Sequence, residues 1–454
     1  MAVGAYRIRL EDIRVDKWTH SGVCNTSLYG MFTDIQFKLN MKRISLIVMF
    51  LIGTCMVHAQ HITGSWHGDL NAGSQKLDIV FHFEKDSAGK DVVKMDVPAQ
   101  GAKDIPVKVD WLADDSVSLQ VPVINVVYTG KWKEGTVEGT FVQHGMSFPL
   151  NLTTGEQDAP ARPQEPKGSL GYKTEEVSFS NDAAGATLSG TLTCPAGYSE
   201  GKKVPVVLMV TGSGAQNRDE EVFGHKPFLV IADYLAKNGI ASLRYDDRGV
   251  GRSTGNFKGA TSRDFADDAA AGIAWLKNSR RFGKVGVLGH SEGGMIAFML
   301  GADSVADFIV SMAGPGIKGD SLLAEQQNAQ LRLYGKPANR TVKLVREEMK
   351  LQPKNAWLDY FAGYDPASDI MNTTVPVMAI NGSRDMQVLA ESNLGAIRKY
   401  LVNGNRQNLI KEYPELNHLF QHCQLASSLD YYRIEETCAP EVLKDIADWI
   451  NALR

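Results

Sequence analysis

The sequence predicts two domains in series: a small antiparallel β-barrel or sandwich, then a larger α/β domain built on a parallel sheet and carrying a helical cap. Three observations predict it. Period-two alternation of apolar and polar residues runs through residues 60–154. A stretch rich in Pro, Gly and charge, without an apolar face, occupies residues 155–171 and reads as a linker. Over residues 172–454, near-continuous apolar runs alternate with amphipathic segments, the pattern of buried parallel strands and their crossover helices.

In the first domain the short runs are LDIVFHF (Leu77–Phe83), SVSLQV (Ser116–Val121) and TVEGTFV (Thr136–Val142), separated by Gly, Asp and Lys turns. GSWHGDL near its start is similar to the opening of lipocalin-like barrels, a match too short to imply a ligand. In the second domain the strands are VPVVLMV (Val204–Val210), GIASLRY (Gly239–Tyr245), KVGVLG (Lys284–Gly289), FIVSMAG (Phe308–Gly314) and VPVMAING (Val375–Gly382). Between the first two, a helix places Phe228, Ile231, Ala232 and Leu235 on one face and has Gly239 as its stop. The last helix opens with Ala439-Pro440-Glu441 and turns Val442, Leu443, Ile446 and Ile450 inward. About sixty residues separate the fourth strand from the fifth, too many for a loop. Their helical patterns predict a cap over residues 315–374. Its cluster Trp357, Tyr360, Phe361 and Tyr364 either lines a pocket or packs the cap itself, and packing is the expected role.

A formal net charge of −4, with no long basic run or basic-aromatic strip, argues against a nucleic-acid partner. Residues 41–59 read as a signal peptide: Lys42 and Arg43 precede an apolar run that ends in Val-His-Ala before Gln60. That run, about fourteen residues, falls short of the roughly twenty that a membrane span needs. The expected destination is the periplasm or the extracellular space. A membrane association follows only if the signal stays uncleaved or Cys55, in a sequence similar to a bacterial lipobox, is lipidated. A signal should begin a chain, so residues 1–40 read as an extension upstream of a start at Met41. Beyond the signal, Cys423 and Cys438 either close a small loop and leave Cys194 free, or all three are unpaired thiols. No Cys/His spacing resembles a zinc site.

Gly-x-Ser-x-Gly, which can present a nucleophilic serine at a strand-to-helix turn, occurs twice. Ser199 in GYSEG sits in a Pro, Gly and Lys-rich segment before a strand and reads as a turn. Ser291 in GHSEG follows an apolar strand and precedes GGMIAFML, a plausible helix, so it is the candidate nucleophile. A serine needs a base to take its proton and an acid to orient that base. Asp385 lies just past the strand VPVMAI and is the candidate acid; its alternative is a solvated carboxylate paired with Arg384. His418, in a loop before the terminal helix, is the candidate base, and His422 is its competitor. His290 reads as shaping the serine turn. The oxyanion of an acyl-transfer intermediate needs fixed N–H donors. Glu292, next after the serine, supplies one, and Ser213 or Gly214 in the loop after Val210 supplies the other. GSGAQN lacks the third glycine of a dinucleotide turn.

TGSGAQNRDE, YDDRGVGRS, GHSEGG, NGSRD and LNHLFQ, in this order, resemble the α/β-hydrolase superfamily, and in particular bacterial EstD-type serine carboxylesterases and serine aminopeptidase-like hydrolases. The resemblance covers residues 172–454. It implies an α/β-hydrolase fold, to which the insertion at 315–374 adds the cap, a Ser291-Asp385-His418 triad, and a structural turn at Asp246–Ser253 with Arg248 as its staple; no metal or organic cofactor is implied. It does not fix the substrate. A small-molecule ester with a short acyl group leads, because the sequence shows neither a long apolar channel nor an acidic motif that reads an N-terminus; the alternatives are a serine aminopeptidase, an acyl thioesterase, or a non-catalytic binding protein on the same fold. An aminopeptidase needs a carboxylate for the substrate ammonium, for which Asp219, Glu220 and Glu221 are available; as a solvated acidic turn they would serve no such purpose. N-terminal sequencing of the exported protein is expected to begin at Gln60; a chain retaining residues 1–40 overturns the signal reading.

Overall fold

The computed structural model describes residues 62–453 except 73–74, 114, 144, 156–159 and 200. The expected extension, signal segment and Cys55 lie outside the described residues. Among the described residues no helix is long and apolar enough to cross a membrane.

The first domain is an up-and-down antiparallel barrel. Strands β1 (Gly64–Ala72), β2 (Gln75–Lys85), β3 (Asp91–Val97), β4 (Ala102–Ala113), β5 (Ser116–Val121), β6 (Val126–Lys133) and β7 (Thr136–Gln143) each pair with the next. The eighth stave is split into β8 (Met146–Pro149) and β9 (Leu152–Thr154), both on β7, and β9 closes the ring on β1. Closure removes the exposed edges of an open sheet. The alternation seen in the sequence becomes an interior of Trp66, Phe81, Met95, Leu119, Tyr128 and Leu152. Tyr128 donates its hydroxyl to the Leu150 carbonyl at 3.2 Å. Gly139 makes room for it: a Cβ there would lie 2.2 Å from the Tyr128 hydroxyl.

Residues 160–171 lie on the second domain. Arg162 donates to the carbonyls of Gly224 (2.9 Å), Tyr432 (2.6 Å) and Ile434 (3.0 Å), and the Gln164 amide bonds the backbone of Thr437 and Cys438. A polar segment without an apolar face can dock in this way because its own side chains satisfy the loop carbonyls.

The second domain is an eight-stranded sheet in the order β10-β11-β13-β12-β14-β15-β16-β17. Strands β10 (Lys173–Asn181) and β11 (Ala186–Cys194) form an antiparallel hairpin at one edge, and β11 runs antiparallel to β13. From β13 (Ala241–Tyr245) through β12 (Val206–Val210), β14 (Val285–His290), β15 (Ile309–Met312), β16 (Val377–Gly382) and β17 (Leu409–Tyr413) the strands are parallel. The apolar runs are continuous because both faces are covered. In β12, Val206, Leu208 and Val210 enter one core while Val207 and Met209 enter the other. Helices α1 (Pro227–Lys237) and α9 (Pro440–Ala452) cover the second face with the residues expected from their periodicity. Helices α2 (Ser262–Asn278) and α3 (Glu292–Ala302) cover the first. Sequence order reverses across β12 and β14, where open α/β sheets place ligands at the strands' carboxyl ends.

The region expected to be a cap contains α4 (Gly319–Leu333), α5 (Val342–Lys350), α6 (Ala356–Gly363) and α7 (Ala367–Asn372). Helices α5 and α6 each pack on α4, whereas α7 packs against α3 and α8 (Ala390–Tyr400). Cys194, Cys423 and Cys438 are buried and unpaired, the second of the two cysteine readings.

The barrel meets the second domain through the turn Pro98–Gln100, which packs on the turn Ser428–Arg433. Arg433 reaches the buried Asp78 of β2 at 2.7 Å. Burial and a hydrogen bond with Asp69 raise the Asp78 carboxyl above its ordinary range, and Arg433 opposes them. A carboxyl raised by folding contributes stability at low pH that is lost as pH rises from its unfolded to its folded value. Arg433→Met is therefore expected to destabilise the protein by about 1–3 kcal/mol at pH 8 and by less at pH 4, measured by urea denaturation.

Candidate active site

Strand β14 ends at His290, helix α3 starts at Glu292, and Ser291 between them has φ 55° and ψ −119°. A non-glycine residue in this region costs on the order of 1–3 kcal/mol and persists only where the surroundings enforce it. Here the enforcement is close backbone packing. A Cβ on Gly289 would lie 1.9 Å from the Gly293 carbonyl oxygen, and one on Gly293 would lie 2.1 Å from that of Val210. Ser199 has no such setting. It is exposed, and its carbonyl accepts from the Lys202 N–H at 3.0 Å in a surface turn.

Asp385 follows β16 and is buried. Its Oδ1 accepts the N–H groups of Gln387 (2.7 Å) and Val388 (2.9 Å), which leaves Oδ2 to His418 Nδ1 at 2.7 Å. Because the carboxylate accepts a hydrogen bond from Nδ1–H, the neutral ring presents Nε2 as a base. His418 and Ser291 line the same cavity. His422 is half exposed and bound instead to Glu436 (2.9 Å) and Glu441 (3.2 Å). Arg384, the alternative partner for Asp385, pairs with Glu415 at 3.0 Å.

Of the expected oxyanion donors, Ser213 lines the cavity together with Gly212, whereas Gly214 does not. A Cβ on Gly212 would stand 3.2 Å from Ser291 Cβ, so this loop runs directly past the serine. The Gly212 N–H is taken by Glu220 Oε1 at 2.8 Å. The backbone N–H groups of Ser213 and Glu292 make no hydrogen bond within the described residues. The loop is held from below by Asp247, which accepts from Thr211 Oγ1 (3.0 Å) and the Gln216 N–H (2.9 Å). Burial pushes the Asp247 carboxyl well above its ordinary range.

The cavity, of about 260 Å³, runs from Ser291 to the cap. Trp357 and Phe361 stack with centroids 5.3 Å apart and line it, contrary to the packing role expected for the cluster; Tyr360 and Tyr364 stack on each other instead. Trp357 Nε1 donates to both oxygens of the Glu292 carboxylate (2.9 and 3.0 Å), and Ser262 Oγ donates at 2.5 Å. Burial raises the Glu292 carboxyl and these donors pull it back. Among the described residues no group of three or more His, Cys, Asp or Glu side chains is arranged to hold a metal ion.

The acidic turn after the oxyanion loop is not solvated as a unit. Asp219 is ion-paired with the buried Arg244, and Glu221 faces Lys103 of the barrel at 4.0 Å. Glu220 is only 1% exposed and meets His290 Nδ1 at 3.0 Å. Glu220 and Phe223 both have φ 51°, and Gly224 has φ 70°. His225, pulled down to about 4 by burial, completes the turn by bonding Thr437 Oγ1 (2.9 Å) and the Tyr431 carbonyl (2.8 Å).

Over residues 184–316 the chain matches the family of X-Pro dipeptidyl-peptidases (S15 family). It is 28% identical over 274 residues to Esterase EstD of Thermotoga maritima, covering 58% of this chain and 65% of that relative, a little under two thirds of its length. Among solved structures, the esterase Pf2001 of Pyrococcus furiosus is 17% identical and covers 66% of this chain and 98% of its own, with a TM-score of 0.43. Est1E from Butyrivibrio proteoclasticus is 14% identical and covers 61% and 96%, with a TM-score of 0.38. The second domain has the α/β-hydrolase fold: a mostly parallel sheet covered on both faces by helices, with a serine at the turn from β14 to α3.

In this domain the sequence motifs point to Ser291, Asp385 and His418, and the fold brings these three to one end of the sheet. Arg248 is the staple that its motif implies, bonding Asp268 at 2.6 and 2.8 Å. Glu220, Asp247 and Trp357 had no signal of their own in spacing, because each acts on a segment remote in the chain. Gly293→Ala forces the turn against the Val210 carbonyl and is expected to cost more than about 4 kcal/mol, read as loss of cooperative folding by circular dichroism.

Proposed function

We propose that the chain is an exported serine hydrolase that cleaves carboxylic esters with small acyl groups. The observation that carries this reading is the buried Asp385–His418 hydrogen bond at 2.7 Å, beside a serine held in a strained strand-to-helix turn on the same cavity. Ser291 Oγ attacks the acyl carbon and His418 Nε2 takes its proton. Asp385 fixes the ring and stabilises the imidazolium that forms. The N–H groups of Glu292 and Ser213 receive the oxyanion. His418 then protonates the departing alcohol, and water releases the acyl group from Ser291 by the same steps in reverse. The mechanism calls on no metal or organic cofactor.

The likeness to Esterase EstD supports esters as the substrate class. A cavity of about 260 Å³ walled by Leu322, Leu323, Trp357 and Phe361 suits a short acyl group. Export rests on the pattern at Met41–Gln60. The likeness to X-Pro dipeptidyl-peptidases favours a second reading, a peptidase acting from a free N-terminus. Against it, Asp219 is tied to Arg244 and Glu221 faces Lys103, while Glu220 is committed to Gly212 and His290.

Rates on short-acyl nitrophenyl esters and on aminoacyl nitroanilides, with the Ser291→Ala variant as control, separate the readings. Ester turnover is expected, reduced by a factor of about a million in the control, with the anilides inert. Anilide turnover moves the protein to the peptidases, and ester turnover unchanged in the control removes Ser291 from the chemistry.

A further inference from the structure

His290 and Glu220 take no proton or bond in the acyl transfer proposed above, yet they meet in a buried contact behind it. The surroundings are largely apolar: Phe228, Ile231, Met312 and Phe420 share the small cavity on which both residues open. A charged pair in such a place is costly unless its hydrogen bonds are well used. Here every contact runs to a different part of the active site. His290 Nδ1 faces Glu220 Oε1 at 3.0 Å and His290 Nε2 faces the His418 backbone carbonyl at 2.9 Å. Glu220 Oε1 also accepts the Gly212 N–H at 2.8 Å. His290 itself is the residue before Ser291.

Both partners of the His290 ring are acceptors. A neutral imidazole carries a single N–H and satisfies one of them; only the imidazolium donates to both. We propose that His290 is held as an imidazolium by Glu220, and that this pair is a positioning device locking the oxyanion loop, the serine turn and the His418 loop into one register. The inference rests on the role assigned above to Ser291 and His418.

The other titratable groups facing His290 are the His418 ring, with centroids 4.8 Å apart, Asp385 and the Cys438 thiol. Burial works against the His290 cation, but the Glu220 charge, the two hydrogen bonds and the Asp385 charge outweigh it, so its proton is held above the ordinary histidine range. A histidine raised in this way keeps its cation at low pH and loses it as pH rises through the folded value. The lock is therefore intact on the acid side and released on the alkaline side.

The test uses the protein from Gln60 onward, labelled with nitrogen-15, as wild type and as Glu220→Gln and Glu220→Asp. Side-chain nitrogen NMR at pH 7.5 is expected to find both His290 ring nitrogens protonated in the wild type. Glutamine keeps the shape but not the charge, so Glu220→Gln should leave one ring proton. It should lower kcat on a nitrophenyl acetate about 100-fold, as misplacement by about 1 Å does, with KM changed less than about threefold. The alkaline limb of its kcat profile should move to lower pH, and Glu220→Asp should recover part of the rate. A wild-type His290 with a single ring proton at pH 7.5, or a folded Glu220→Gln enzyme with unchanged kcat and pH profile, overturns the proposal. If Glu220→Gln does not fold, the wild-type spectrum and the alkaline limb of Glu220→Asp decide. The ring spectrum does not depend on turnover, so a wild type without Ser291-dependent ester activity fails the functional reading while the protonation state is still read.

Discussion

The arrangement around the cavity depends on how closely two backbone segments approach the turn at Ser291. The serine sits at φ 55° because β14 must hand the chain to α3 without a loop, and that is sterically open only where Gly289 and Gly293 let carbonyls pass within a Cβ radius. Once the turn is closed, its neighbours have little freedom. Gly212 is forced against Ser291, and Ser213 beside it lines the same cavity as the serine. Packing of this density is bistable rather than soft, so a single methyl group at Gly293 acts on the whole site.

Three buried carboxylates surround the oxyanion loop, and their costs explain their partners. Asp247 and Glu292 are raised by burial and offset it with hydroxyl, indole and backbone donors; Glu220 has a counter-cation in His290. Carboxylates in an apolar frame accept only a few geometries, because each unmade hydrogen bond costs on the order of 1–3 kcal/mol. The result is a loop fixed by its own buried partners, the condition that the proposed oxyanion role requires. Glu292 extends this rigidity to the cap, since its carboxylate is the acceptor for Trp357 on α6.

The barrel is joined to the same region. Its Pro98–Gln100 turn rests on Ser428–Arg433, and Lys103 faces Glu221 in the loop that carries Val222 and Phe223 to the cavity wall. Phe223 meets Tyr431 edge to face at 5.3 Å, and Arg162 of the connecting segment holds the Gly224 carbonyl. Positive φ at two non-glycine residues, Glu220 and Phe223, makes this loop costly to form alone. The barrel and the connecting segment supply contacts that help hold it.

Much of the fold was legible from residues 62–453 because its information is local and periodic. Alternation marks the barrel strands, continuous apolar runs mark strands covered on both faces, and the facing residues of α1 and α9 follow from a period of 3.6. The two copies of Gly-x-Ser-x-Gly are separable for the same reason: a strand precedes one and follows the other. Asp385 and His418 were found from their places after later strands. What the sequence could not contain is which polar groups share a buried volume. Glu220 lies in an acidic run that reads as a solvated turn, and only the fold places it under Gly212 and against His290, 70 residues away. Trp357 and Phe361 reach the cavity rather than only packing the cap because α6 lies across α4. The sequence by itself determined the order of the elements, the faces they bury and the candidate serine with its two candidate partners, all set by spacing along one chain. The register between loops was decided only by the tertiary structure, because burial, unlike periodicity, is a property of segments far apart.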